Sequence, residues 1–132
     1  IYFYMKTGSD ITDPGDPQWM QLFLHVTGET AWEGFDFAIN RTAPSKTEAQ
    51  LEKSLGGWSW EKITKVQYCV KGNEIEIAVP LESLGISDPD KFTVDFKWID
   101  NAAGDGNIQT CMRDGDSAPD GRFRYRYKFR KE

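Results

Sequence analysis

Trp32 stands in the turn-like stretch TAWEGFDF, and Trp58 and Trp60 flank Ser59 in GGWSWEK, directly after a glycine pair. Indole rings beside turns can stay half exposed, and a reachable ring is what a sugar site needs. The apolar C–H face of a pyranose stacks on it while neighbouring carboxylates and amides take the hydroxyls. Trp98, in KFTVDFKWID, shares the apolar side of its strand with Phe92, Val94 and Phe96 and edges toward a cleft only near the strand end. The competing reading is burial, the usual fate of tryptophan in a domain of this size.

Three other constellations could do chemistry. Calcium takes six to eight oxygen ligands spaced through a turn. Asp100, Asn101, Asp105 and Asn107 in DNAAGDGN offer one such set, and Asp114, Asp116 and Asp120 in RDGDSAPDGR a second. Neither follows the EF-hand spacing, and Asp and Gly are also ordinary turn residues. Glycoside hydrolysis needs two carboxylates roughly 5–9.5 Å apart across a cleft; among 21 acids no pair is marked by a catalytic motif, so the chain does not read as an enzyme. His25, the single histidine, lies in QLFLHV with no nucleophile motif to serve. It reads more simply as an outward polar position.

Composition bounds these readings. The 132 residues suit one domain, 1–132, with its own core. Five Trp, eight Phe and five Tyr can fill that core without a metal or disulfide. A net charge of -5 and a pI near 4.9 argue against a nucleic-acid partner or an anionic membrane surface. No apolar run approaches the length of a bilayer span. The chain opens in strand-like IYFYMKT with no leader features, and the expectation is a piece of a longer protein. Cys69 and Cys111 share no C-x-x-C spacing; one disulfide and two buried thiols both stay open.

The elements that must position these residues are short. Clusters such as TGSDITDPGDPQ, RTAPSK, GISDPDK and RDGDSAPDGR punctuate the chain with turn formers. Between them lie aromatic and β-branched runs at 1–7, 19–27, 34–41, 63–71, 73–80, 91–101 and 108–112, followed by the terminal strand. The pattern predicts an all-β sandwich or barrel. Gly72-Asn73 reads as a two-residue hairpin turn. SKTEAQLEKSL carries both a capping-box pattern and strand alternation, and strand is favoured. PLESLG reads as one helical turn closed by glycine.

In GRFRYRYKFRKE, odd positions from Phe123 to Phe129 are aromatic and even positions from Arg124 to Arg130 are basic, which places the two sets on opposite faces of one strand. The acids of the other alternating strands, Glu74, Glu76 and Asp95, are candidate cross-strand partners for Arg124 or Arg126. The basic row is then a solvated face with paired charges; the alternative is a site for an acidic ligand. By the same alternation Thr93, Asp95 and Lys97 are expected on a wet face.

The order of WEGFDFAINR, LEKSLGGWSW, VKGNEIEIAVP and DFKWIDN resembles the β-sandwich domain related to family 9 carbohydrate-binding modules, over about residues 19–127. Of sandwich and barrel, the resemblance implies the first, an all-β, antiparallel two-sheet β-sandwich of jelly-roll-like form, and with it a non-catalytic accessory module of a bacterial protein. It further implies an extracellular, periplasmic or cell-surface location and recognition of an oligo- or polysaccharide by aromatic stacking. Relatives clamp a sugar between two Trp and hold structural calcium, which makes Trp32, Trp58, Trp60 and Trp98 the candidate ligand-binding residues. The alternative is a structural or interaction domain without a sugar site. Further behind stand a glycoside hydrolase and, because some relatives in the broader superfamily hold haem between a Met and a His, a haem-binding domain using His25 with Met5, Met20 or Met112.

Overall fold

The computed structural model describes residues 1–15, 19–26, 34–57, 59–101 and 115–132. Nine strands lie among them: Tyr2–Lys6 (β1), Gln21–His25 (β2), Phe37–Ile39 (β3), Glu48–Gly56 (β4), Ser59–Lys71 (β5), Glu74–Ala78 (β6), Lys91–Asp100 (β7), Asp116–Ala118 (β8) and Tyr125–Arg130 (β9). Every pairing is antiparallel, in the order β1-β6-β5-β4-β3-β2-β7, with β8 and β9 both on the far edge of β7. The sheet curls. Phe3 of β1 meets Phe96 of β7 edge to face at 5.4 Å although the two strands stand near opposite ends of that order. The all-β antiparallel expectation therefore holds, as one continuous curled sheet.

Local chemistry explains the elements. Gly72, at φ 60, occupies the first position of the two-residue turn between β5 and β6, where a positive φ is required. The ambiguous SKTEAQLEKSL folds as β4: Ser45 Oγ accepts from the Glu48 N–H at 3.1 Å, a local bond, and the chain then runs extended. Pro80 leads into the 3-10 turn Leu81–Leu84, and Gly85 closes it in the left-handed region.

Alternation fills the inner face with Leu22, Leu24, Ile39, Leu51, Ile77 and Trp98, among others. Each such aliphatic burial contributes roughly 1.5–3 kcal/mol before conformational entropy is counted. The outer face departs from expectation. Asp95 and Lys97 are each 1% exposed, not wet. Phe23, Phe35, Ala38 and Ile99 form a second apolar cluster there, with Trp60 packed against it. Alternation along one strand reveals two faces, but not that both are covered.

A β-bulge decides where Trp60 goes. Leu51 pairs with Thr64 but Glu52 pairs with Lys62, which leaves Ile63 as an extra residue. Beyond it the phase of β5 inverts: Val66 and Tyr68 point into the core, while Trp60, of the same parity, joins the outer cluster. The second departure is β8, a three-residue strand inside RDGDSAPDGR, a stretch that reads as pure turn.

Candidate functional site

Among the described residues β1 pairs with neither β8 nor β9, and a seam runs between β1 and the β7–β9 edge. Its first half is a groove of about 580 Å³ lined by Ile1, Tyr2, Phe3, Tyr4, Leu81, Pro89, Phe92, Phe96, Tyr127 and Phe129. The register of β9 against β7 builds it, since Phe92 pairs with Phe129 and Val94 with Tyr127. The rings pack at a tilt: Phe92 to Phe129 at 5.4 Å, Phe92 to Tyr127 at 6.1 Å, Phe96 to Tyr125 at 5.3 Å. Tyr127 stays 44% exposed, so the aromatic side of β9 is a reachable surface. Tyr4 donates its hydroxyl to Glu74 Oε1 at 2.7 Å, and that bond pushes the phenol's pKa up.

The second half follows directly along β1 and β7. It is a cleft of about 290 Å³ between Met5, Lys6, Thr7, Gly8 and Ser9 on one wall and Trp98, Ile99, Asp100, Asn101, Asp116, Ser117 and Ala118 on the other, with Met20. Asp100 and Asp116 are cross-strand partners, so one acid from each candidate calcium loop lies on the same rim. Asp100 Oδ1 accepts from the Met20 N–H at 3.1 Å, and Oδ2 from Asn101 Nδ2 at 3.4 Å. Those bonds orient the carboxylate. Among the described residues no three metal-ligating side chains converge, and the oxygens of Asp100 and Asn101 fall short of a calcium shell. Asp105, Asn107 and Asp114 lie outside the described residues.

The proposed tryptophans fare differently. Trp98 lines the acidic cleft but is 2% exposed, a core residue whose Nε1 finds no hydrogen-bond partner among the described residues. Its ring is not a stacking platform. Trp60 is half-buried on the outer face, where the Arg41 guanidinium lies 4.6 Å from its ring centroid and bonds Glu52 at 3.0 Å. The structure brings neither into the aromatic groove. Trp32 and Trp58 lie outside the described residues. Among the described residues the rings that line the groove are tyrosines and phenylalanines of β1, β7 and β9, and the signal for those of β9 was the aromatic row of GRFRYRYKFRKE itself.

The basic row of β9 divides in two. Arg126 grips Asp95 with two bonds, 2.6 and 2.8 Å, and Arg124 stands 3.5 Å from the same carboxylate. The cross-strand pairing expected of Asp95 is thus present. The hydrogen bonds from Arg126 hold the Asp95 carboxyl below the usual carboxylate range, outweighing burial, which pushes the other way. Arg124 also bonds the Gly34 carbonyl and covers Phe35. Nearby, Lys97 Nζ donates to the carbonyls of Pro119, Gly121 and Phe123, tethering the segment before β9. Lys128 and Arg130 carry no carboxylate partner among the described residues.

His25 Nδ1 lies 2.9 Å from Asp36 Oδ1 on the outer face, and Asp36 also accepts from the Val26 N–H. Met5 and Met20 pack with the inner core, across the sheet from it, so the described residues assemble no Met–His pair; Met112 lies outside them. Cys69 is an exposed free thiol, and Cys111 lies outside the described residues. No described helix is long and apolar enough to cross a membrane. No family model, curated protein or solved structure matches the chain.

Proposed function

We propose that this is a non-catalytic carbohydrate-binding module, with its two curled halves as the layers of a jelly-roll-like sandwich and its saccharide laid along the seam. The observation that carries the reading is the junction of a reachable aromatic groove with an acid- and amide-rimmed cleft on the same pair of strands. A chain of sugar rings presents apolar C–H faces and hydroxyls in alternation. Tyr2, Phe92, Tyr127 and Phe129 would take the faces, and Asp100, Asn101 and Asp116 the hydroxyls. The motif resemblance to family 9 modules supports the ligand class, and an exported location in a bacterial parent protein rests on that resemblance alone. Calcium has no role in the saccharide contacts proposed here.

The test is calorimetric titration with a broad panel of oligosaccharides. For a saccharide that binds, Tyr127→Ala should weaken affinity about tenfold through the lost stack, whereas Trp60→Ala, on the outer face, should leave it unchanged. A flat response across the panel, or a loss with Trp60→Ala and none with Tyr127→Ala, sinks the reading.

A further inference from the structure

Strand β9 has one hydrogen-bonded neighbour, β7, so the N–H and C=O groups along its far edge have no strand partner among the described residues. An open edge is a template for another strand, and native proteins commonly guard it with cations. Here the cations go beyond guarding. Lys91 and Arg130 are direct cross-strand partners, a like-charge pair that is unfavourable by itself. Lys128 stands on the same outer side, and no described carboxylate pairs with any of the three. The nearest bridge, Lys131 to Asp90 at 3.5 Å, uses that acid elsewhere. In a domain of net charge -5 this corner is a local cationic surplus beside an open edge.

Two features select the occupant. A second copy of β9 is disfavoured, because self-pairing would set Arg126, Lys128 and Arg130 against their own kind. A strand that fits must carry acids on the side facing Lys91, Lys128 and Arg130, and apolar side chains on the side continuing Tyr127 and Phe129. The molecule already contains such a match. Strand β6 alternates Glu74 and Glu76 with Ile75 and Ile77, and against β1 its Glu74 takes the Tyr4 hydroxyl at 2.7 Å and lies 3.8 Å from Lys6 Nζ.

We propose that the free edge of β9 takes up, by strand addition, an extended segment of a partner protein in which acidic and apolar residues alternate. The bound strand's apolar side chains would cover the aromatic groove, so partner and saccharide exclude one another there. This proposal does not depend on the sugar reading.

The experiment titrates the isotopically labelled protein, without saccharide, with an eight-residue peptide alternating glutamate and valine, and separately with its lysine–valine counterpart. The acidic peptide should shift the backbone amide signals of Tyr125–Arg130 and bind at least about tenfold more tightly than the basic one. The double variant Lys128→Glu/Arg130→Glu, changed only at exposed positions, should reverse that preference. Equal affinity for the two peptides, shifts confined to other strands, an unreversed preference, or no shift from either peptide at millimolar concentration would overturn the proposal. A saccharide that binds when neither peptide does leaves the module reading intact and removes this one alone.

Discussion

On one side of β7, Val94 and Trp98 are 0% and 2% exposed among apolar neighbours; on the other, Asp95 and Lys97 are 1% exposed each, among guanidinium groups and carbonyls. Depth of burial is the same on both sides, and the physics is not. The inner residues gain stability in proportion to the area they remove from water. The outer pair starts from a desolvation cost and is tolerable only because each charge meets bonded partners in place. Inner substitutions should therefore scale with volume lost, outer ones with the number of polar groups left unmatched.

Substitutions along the strand can break that comparison. Trp98→Ala should have the largest effect, about 3–5 kcal/mol in chemical denaturation, because it opens a cavity in the main core. A loss under about 1 kcal/mol would mean that the inner face does not stabilise by packing. Lys97→Met keeps the stem and removes three donors. It should cost about 2–3 kcal/mol, through carbonyls left without a partner, and should speed hydrogen exchange around Gly121–Phe123. A neutral Lys97→Met with unchanged exchange would reduce the outer face to ordinary packing.

Asp95→Asn is the mildest, about 1–2 kcal/mol at neutral pH, since solvent reaches the Arg126 side of the pair and screens it. Its sharper signature is in acid. A carboxyl whose folded-state pKa is lowered contributes stability that is fully present above its unfolded value, near pH 4, and is lost as pH falls through the lowered folded value. The difference in stability between parent and Asp95→Asn should shrink across that acidic window. A difference independent of pH would remove the ion pair from the account.

Much of this architecture was legible from residue types. Runs and alternation marked every described strand but β8, with β5 read only from Ile63 and the run 108–112 outside the described residues. They assigned faces on β6, β7 and β9, Gly72-Asn73 marked its hairpin, and of the three acids offered to the basic row Asp95 is the one that pairs with it. What escaped has physical causes. Two covered faces look the same as one covered and one wet when each strand is read alone, so Asp95 and Lys97 read as solvated. The three residues of β8 are too few for a periodic signal and consist of turn formers. The aromatic groove escaped because no single strand encodes it: among the described residues it arises where tyrosines and phenylalanines of β1, β7 and β9, far apart in sequence, meet at the sheet edges and stay half covered.

The irregularity at Ile63 has a genetic corollary. Even-numbered residues of β5 face one way above it and the other way below it, so this one surplus position works as a phase shifter between two halves of a thirteen-residue ribbon. Loss of its single codon would flatten the ribbon without turning it over. Thr64 and Lys62 would become adjacent rungs still facing Leu51 and Glu52, so Trp60 would keep its side and its contact with Arg41, and only the local bend and extra twist would go.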